Sequence, residues 1–111
     1  MKSSPDVVNR LLADVQNAID NNKCIPINRA KNLNTLSRLG ILWSDALDVI
    51  YNLSYNDYVK GPEEDRDRPG TDKFWIFKNI RFGELLYIKI KILYQIDKSL
   101  LIVSFHINDI I

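Results

Sequence analysis

A single cysteine, a single histidine and a single methionine are all that the 111 residues hold of those types. With Cys24 alone there is no internal disulfide and no thiol set for a cysteine-rich zinc site, so it reads as a small reduced core residue. Long apolar runs are missing too: no stretch approaches the roughly 18–20 residues that span a bilayer. The opening Met1-Lys2-Ser3-Ser4-Pro5-Asp6 has none of the apolar character of a secretory signal, and a cytoplasmic chain with no membrane partner is the expectation. Neither sign of charge dominates, since the formal net charge is +1, and composition alone gives no case for a polyanionic partner. There is no GxGxxG or Walker loop, no HExxH and no clustered His/Cys set. Glu63, Asp65 and Asp67 could hold magnesium but are more simply countered by Arg66 and Arg68, so no metal or cofactor is expected.

What is present suits one globular domain over residues 1–111, because a split would leave two pieces too small to bury a core. Ser4-Pro5-Asp6 supplies an N-cap, a proline for the first helical position and an acid at the positive end of the dipole. Val7, Val8, Leu11, Leu12, Val15, Ala18 and Ile19 then recur at helical spacing up to Asn21-Asn22. Cys24-Ile25-Pro26-Ile27 is β-like, but Pro26 confines it to an edge. Asn28 is the expected cap of a second helix with Ala30, Leu33 and Leu36 inward and Gly40 at its end, and Ser44 the cap of a third carrying Ala46, Val49, Ile50 and Leu53.

Beyond Gly61 the period changes to that of strands. Phe74-Trp75-Ile76-Phe77 is aromatic and branched, Leu85 to Leu93 alternates, and Leu100 to Ile107 is a further strand. Helices first and an antiparallel sheet second make an α+β domain. Lys60 to Asp72, with Gly61-Pro62 and Pro69-Gly70, reads as one long irregular loop, of a length that is often functional in so small a domain. Charge is uneven: Asp57 to Asp72 holds six acids and three bases, Lys73 to Lys91 five bases and one acid.

If the last two strands turn at Asp97-Lys98, Lys89 lies opposite His106 and Lys91 opposite Ser104, with Leu101, Val103 and Phe105 on the core face. One face then gathers Tyr87, Lys89, Lys91, Ser104 and His106. That set offers what RNA cleavage without a metal needs: a proton acceptor, a proton donor and cations for the phosphorane charge. Histidine is the residue type that exchanges a proton near neutrality, and Lys60 and Lys89 could supply charge. Tyr87 could donate a hydrogen bond or stack on a base. The plainer reading is a solvated sheet face, with a self-paired charged loop and with Trp75 and Phe77 used for packing.

Leu53-Ser54, Asp57-Tyr58-Val59-Lys60, Trp75, Leu86-Tyr87-Ile88-Lys89-Ile90 and Leu101-Ile102-Val103-Ser104-Phe105 together resemble the MqsR family of toxins, within the RelE-like group of mRNA interferases. The similarity runs from about Leu39 to His106, and Gly61-Pro62-Glu63 with Asp65-Arg66-Asp67-Arg68-Pro69-Gly70 looks like the loop of one branch. It implies a RelE-like α+β fold and an endoribonuclease held inactive by an antitoxin encoded beside it. Carried over, the family's loop lysine falls on Lys60 and its strand tyrosine on Tyr87. Two departures from the best-known member of the family stand out: Ile76 stands where it has a glutamine, and His106 where it has a lysine ending the last strand.

The resulting expectation is metal-independent cleavage of single-stranded mRNA, inhibiting translation and growth, with or without the ribosome. His106, Lys60, Tyr87, Lys89 and Glu63 would be catalytic, Glu63 as a second candidate base, and Lys78, Lys91, Trp75 and Ser104 would contact RNA. The alternative from another class is a non-catalytic binding module, a decayed toxin that keeps only an antitoxin-binding sheet edge.

Overall fold

The structure is a computed structural model and describes residues 2–108. Ser4 is extended, its hydroxyl accepts the Val7 amide at 3.4 Å, and Pro5 begins helix α1 (Pro5–Asp20). Val8, Leu11, Leu12, Val15 and Ala18 are buried along one stripe, each Val or Leu worth about 1.5–3 kcal/mol of burial, while Val7 on its flank stays exposed. Strand β1 (Cys24–Pro26) is followed by helices α2 (Ala30–Leu39) and α3 (Trp43–Tyr51), then by strands β2 (Tyr58–Glu63), β3 (Phe74–Arg81), β4 (Glu84–Ile92) and β5 (Leu100–Ile107). They form one sheet in the order β1-β5-β4-β3-β2, antiparallel except for the β1–β5 pair. Helices α1 and α3 pack with Leu86, Ile88, Ile90, Ile92, Leu100, Ile102 and Phe105 in one core, so the fold is the α+β arrangement read from the sequence. Among the described residues no helix is long and apolar enough to cross a membrane.

Helix α2 departs from its expected orientation. Its N-cap is Arg29 rather than Asn28, whose side chain instead accepts the Trp43 indole N–H at 2.9 Å. Its buried residues are Asn32, Thr35 and Leu36, while Ala30 and Leu33 are exposed. The reason lies in β5, which β1 covers only from Leu100 to Ile102. Past that point α2 completes the edge with side chains: Asn32 donates to the Val103 and Ile27 carbonyls at 3.0 and 2.9 Å and accepts the Phe105 amide at 3.0 Å, and Thr35 accepts the Ile107 amide at 3.1 Å. A helix that satisfies a sheet edge needs polar residues on its inner face. Helix α3 is preceded by Leu42 rather than capped by Ser44, and the Asp45 carboxylate accepts the Leu42 amide; Ala46, Val49, Ile50 and Leu53 are buried as expected.

The β4–β5 hairpin does not turn at Asp97-Lys98 alone. Leu93 and Ser99 close a wider loop, in which Lys98 takes a positive φ of 62° and donates to the Leu93 carbonyl. The pairing therefore shifts: Tyr87 lies opposite His106, Lys89 opposite Ser104 and Lys91 opposite Leu101. Between Ile102 and Ser104, Val103 is an extra residue, a bulge that reverses the alternation. Leu100 and Ile102 thus face the core together with Phe105, and Leu101 and Val103, expected there, lie on the opposite face. The first four residues of the expected long loop, 60–63, are also ordered as part of β2. As the edge next to β3 only, it tolerates Pro62, and Gly61 is required because a Cβ there would lie 3.0 Å from the Phe74 carbonyl oxygen and the Trp75 Cα.

Candidate active site

The sheet face away from α1 and α3 forms a groove of about 1050 Å³ roofed on one side by the 64–73 loop, and a smaller pocket of about 410 Å³ adjoins it. Pairing registers order the groups. Across the sheet, His106, Tyr87 and Lys78 make one row, and Ser104, Lys89, Ile76 and Lys60 the next. In the third, Lys91 pairs with Leu101 and Phe74 pairs with Glu63. Arg29, Tyr87 and Lys89 border both cavities, and His106 and Ser104 line the smaller one.

His106 stacks on Tyr87 with ring centroids 5.3 Å apart and planes 22° from parallel. Its Nδ1 lies 3.0 Å from the Ile107 carbonyl oxygen, which can only accept, so Nδ1 carries a proton. In the neutral ring Nε2 then holds the lone pair and is the atom available for proton transfer. Partial burial raises the pKa of Tyr87, with Lys60 and Arg29 acting against it and Glu63 with it. The phenol is therefore neutral at physiological pH and keeps a proton that it can donate.

The groove's other charges are partly spent. Lys60 Nζ lies 3.2 Å from Glu63 Oε2, with both side chains well exposed. Lys91 is only 5% exposed, its ammonium 2.9 Å from Asp65 Oδ2 and 4.3 Å from the Phe74 ring centroid. Asp65 also accepts the Asp67 and Arg68 amides, so the loop read as self-paired is anchored to the sheet instead. The Lys91 hydrogen bond, helped by those amides, holds the Asp65 carboxyl below the usual carboxylate range. A lowered folded-state pKa stabilises fully above the unfolded value, about 3.9, and that contribution is lost as pH falls through the folded value. Protection of the amides in the 64–73 loop, taken relative to the intrinsic exchange rate at each pH, is thus expected to fall on acidification below about pH 4, and Asp65→Asn to remove the acid step. A loop equally protected at about pH 2 would show that this pair does not hold it.

A family model described as "Motility quorum-sensing regulator, toxin of MqsA" matches residues 9–107. The chain belongs to this family. It is a toxin of a toxin–antitoxin pair, and a cognate antitoxin is its partner. Comparison with curated proteins finds no match.

Of the residues singled out in the toxin's sequence, His106, Tyr87, Lys89, Ser104, Lys60, Glu63, Lys78 and Lys91 share one sheet face, with Lys91 buried in its ion pair. Trp75 does not join them: it lies on the opposite face beside Tyr58, ring centroids 6.4 Å apart. Ile76 is a buried apolar floor between Lys89 and Lys60. Sequence reasoning missed Arg29, which follows the expected cap Asn28 and was not singled out; the Asn32 anchorage that holds the head of α2 to the sheet is not visible in a hydrophobic pattern. Among the described residues, no three His, Cys, Asp or Glu side chains converge on a metal position. Both sheet edges are poor templates for an antitoxin strand, since β1 has three residues ending at Pro26 and β2 carries Pro62 and two register breaks.

Proposed function

We propose that this toxin is an endoribonuclease that cuts single-stranded mRNA, so blocking translation and growth, with the substrate's own 2′-oxygen as nucleophile. The 2′-oxygen forms a bond to phosphorus as the bond to the 5′-oxygen breaks; one proton leaves the 2′-hydroxyl and one reaches the departing oxygen. The products are a 2′,3′-cyclic phosphate and a 5′-hydroxyl, and no co-reactant is needed. His106 Nε2 exchanges a proton with the substrate, and Glu63 is the second candidate for the opposite transfer. Lys89 and Lys60 stabilise the phosphorane charge, the phenol of Tyr87 donates to a phosphate oxygen, and Lys78 extends the cationic track.

The observation that carries this reading is the His106–Tyr87 stack, with its tautomer set by Ile107, standing beside Lys89 in a groove open to a polymer. The donor set favours metal independence: Glu63 is engaged by Lys60 and Asp65 by Lys91. The test is to incubate purified toxin with defined RNAs and determine both new ends. A 5′-hydroxyl and a cyclic phosphate, formed at an unchanged rate in excess EDTA, are expected; 5′-phosphate ends would rule the chemistry out.

A further inference from the structure

Charge pairing on the sheet face is lopsided. Lys60 and Lys91 each have a carboxylate within 3.2 Å. Arg29 and Lys89 meet none among the described residues: Arg29 Nη1 lies 3.5 Å from Ser104 Oγ, and the Lys89 ammonium lies over the Phe74 ring at 4.5 Å. On the sheet itself the uncompensated positive charge is therefore gathered at the His106 end of the groove, while Arg66 and Arg68, which also line the groove, stand on the loop at its other side. An anion entering there displaces no carboxylate of the described residues from Arg29 or Lys89, whereas at Lys60 it competes with Glu63.

The backbone of Arg29 is also held where it stands. It is the N-cap of α2, three residues before Asn32, whose side chain joins the helix to Val103 and Phe105 on the strand that carries His106. The same strand offers Ser104 to the guanidinium. A charge fixed before substrate arrives costs little reorganisation when phosphate charge develops. A guanidinium also presents paired donors suited to two oxygens of one phosphate.

We infer that Arg29 binds the scissile phosphate beside His106, making the head of α2 a working part of the active site. This assignment rests on the nuclease reading for the word scissile, but phosphate binding can be tested apart from it. The probe is a short single-stranded oligonucleotide with 2′-deoxy sugars throughout, which keeps the phosphates and lacks the attacking oxygen. Its affinity is measured over a salt series for the full chain and for R29Q, R29K and R10Q. Arg29 is exposed, so folding is not at stake; Arg10, exposed on α1, controls for general charge.

The salt dependence, as the slope of log affinity against log salt, is expected to fall by about 0.7 in R29Q, as for one lost phosphate contact to a single strand. R29K should restore the slope and R10Q leave it unchanged. Single-turnover cleavage of RNA should fall about 100-fold in R29Q. An R29Q slope equal to that of the unaltered toxin, an equal loss in R10Q, or an R29K slope matching R29Q overturns the assignment. If the slopes are as expected and RNA stays intact, phosphate binding by Arg29 stands and the nuclease reading fails. If R29Q cleaves RNA as fast as the unaltered toxin, Arg29 falls and the nuclease reading stands.

Discussion

His106→Ala is expected to slow RNA cleavage by about 10²–10⁴-fold, the range that a positioned proton-transfer group contributes. The folded state should lose little, since His106 is partly exposed and what goes is one ring stack, worth about 0.5–1.5 kcal/mol, and a bond to the Ile107 carbonyl. Melting and cleavage must be read on the same preparation. An RNA with a single 2′-deoxy sugar on the 5′ side of the cut supplies the second arm: it should resist cleavage there in the unaltered toxin, because the nucleophile has been removed. His106→Lys, which installs the strand-end lysine that the family resemblance leads one to expect, should recover more activity than alanine. A folded His106→Ala toxin that cuts RNA at the unaltered rate would take His106 out of the reaction. Normal cutting of the deoxy substrate would move attention to Glu63, Asp65 and Asp67 and to an external nucleophile.

The parts of this molecule that could be read from its sequence are those whose residues answer to one partner surface. Helix α1 has a solvent face and a core face, and its stripe is plain. Strand β4 alternates Leu86, Ile88 and Ile90 against Tyr87 and Lys89 for the same reason, which brought the candidate residues to the correct face although the register was off by two. A slip of two residues preserves the face, and only an odd slip would have scattered the site. What was not legible depended on contacts distant in sequence. The loop acids have Arg66 and Arg68 as neighbours in the chain, yet Asp65 pairs with Lys91, 26 residues away. Leu100 and Ile102 share the core face with Phe105 only because Val103 bulges, and nothing in Leu-Ile-Val-Ser-Phe marks the residue that will be left out of the ladder.

That bulge and the polar stripe of α2 are one feature, and they carry the largest stability effect expected outside the apolar core. Asn32 is completely buried and makes three hydrogen bonds, two as donor and one as acceptor. Accepting the Phe105 amide fixes which way the side-chain amide points, and the two carbonyls then take its N–H groups. Asn32→Ala leaves the part-buried Val103 carbonyl and the buried Phe105 amide without their partner, at about 1–3 kcal/mol each. A total near 3 kcal/mol corresponds to a drop in melting temperature of about 12 °C or more for a chain of this size. Asn32→Asp tests the geometry: its carboxylate can still accept from Phe105 but faces two carbonyl oxygens with nothing to donate, so it should be no more stable than alanine. Because the same bonds hold the head of α2 to β5, both variants should also lose cleavage at temperatures where they remain folded, as Arg29 and Ser104 move apart. A melting temperature unchanged by Asn32→Ala, or an aspartate variant as stable as the unaltered toxin, would show that β5 keeps its edge by other means.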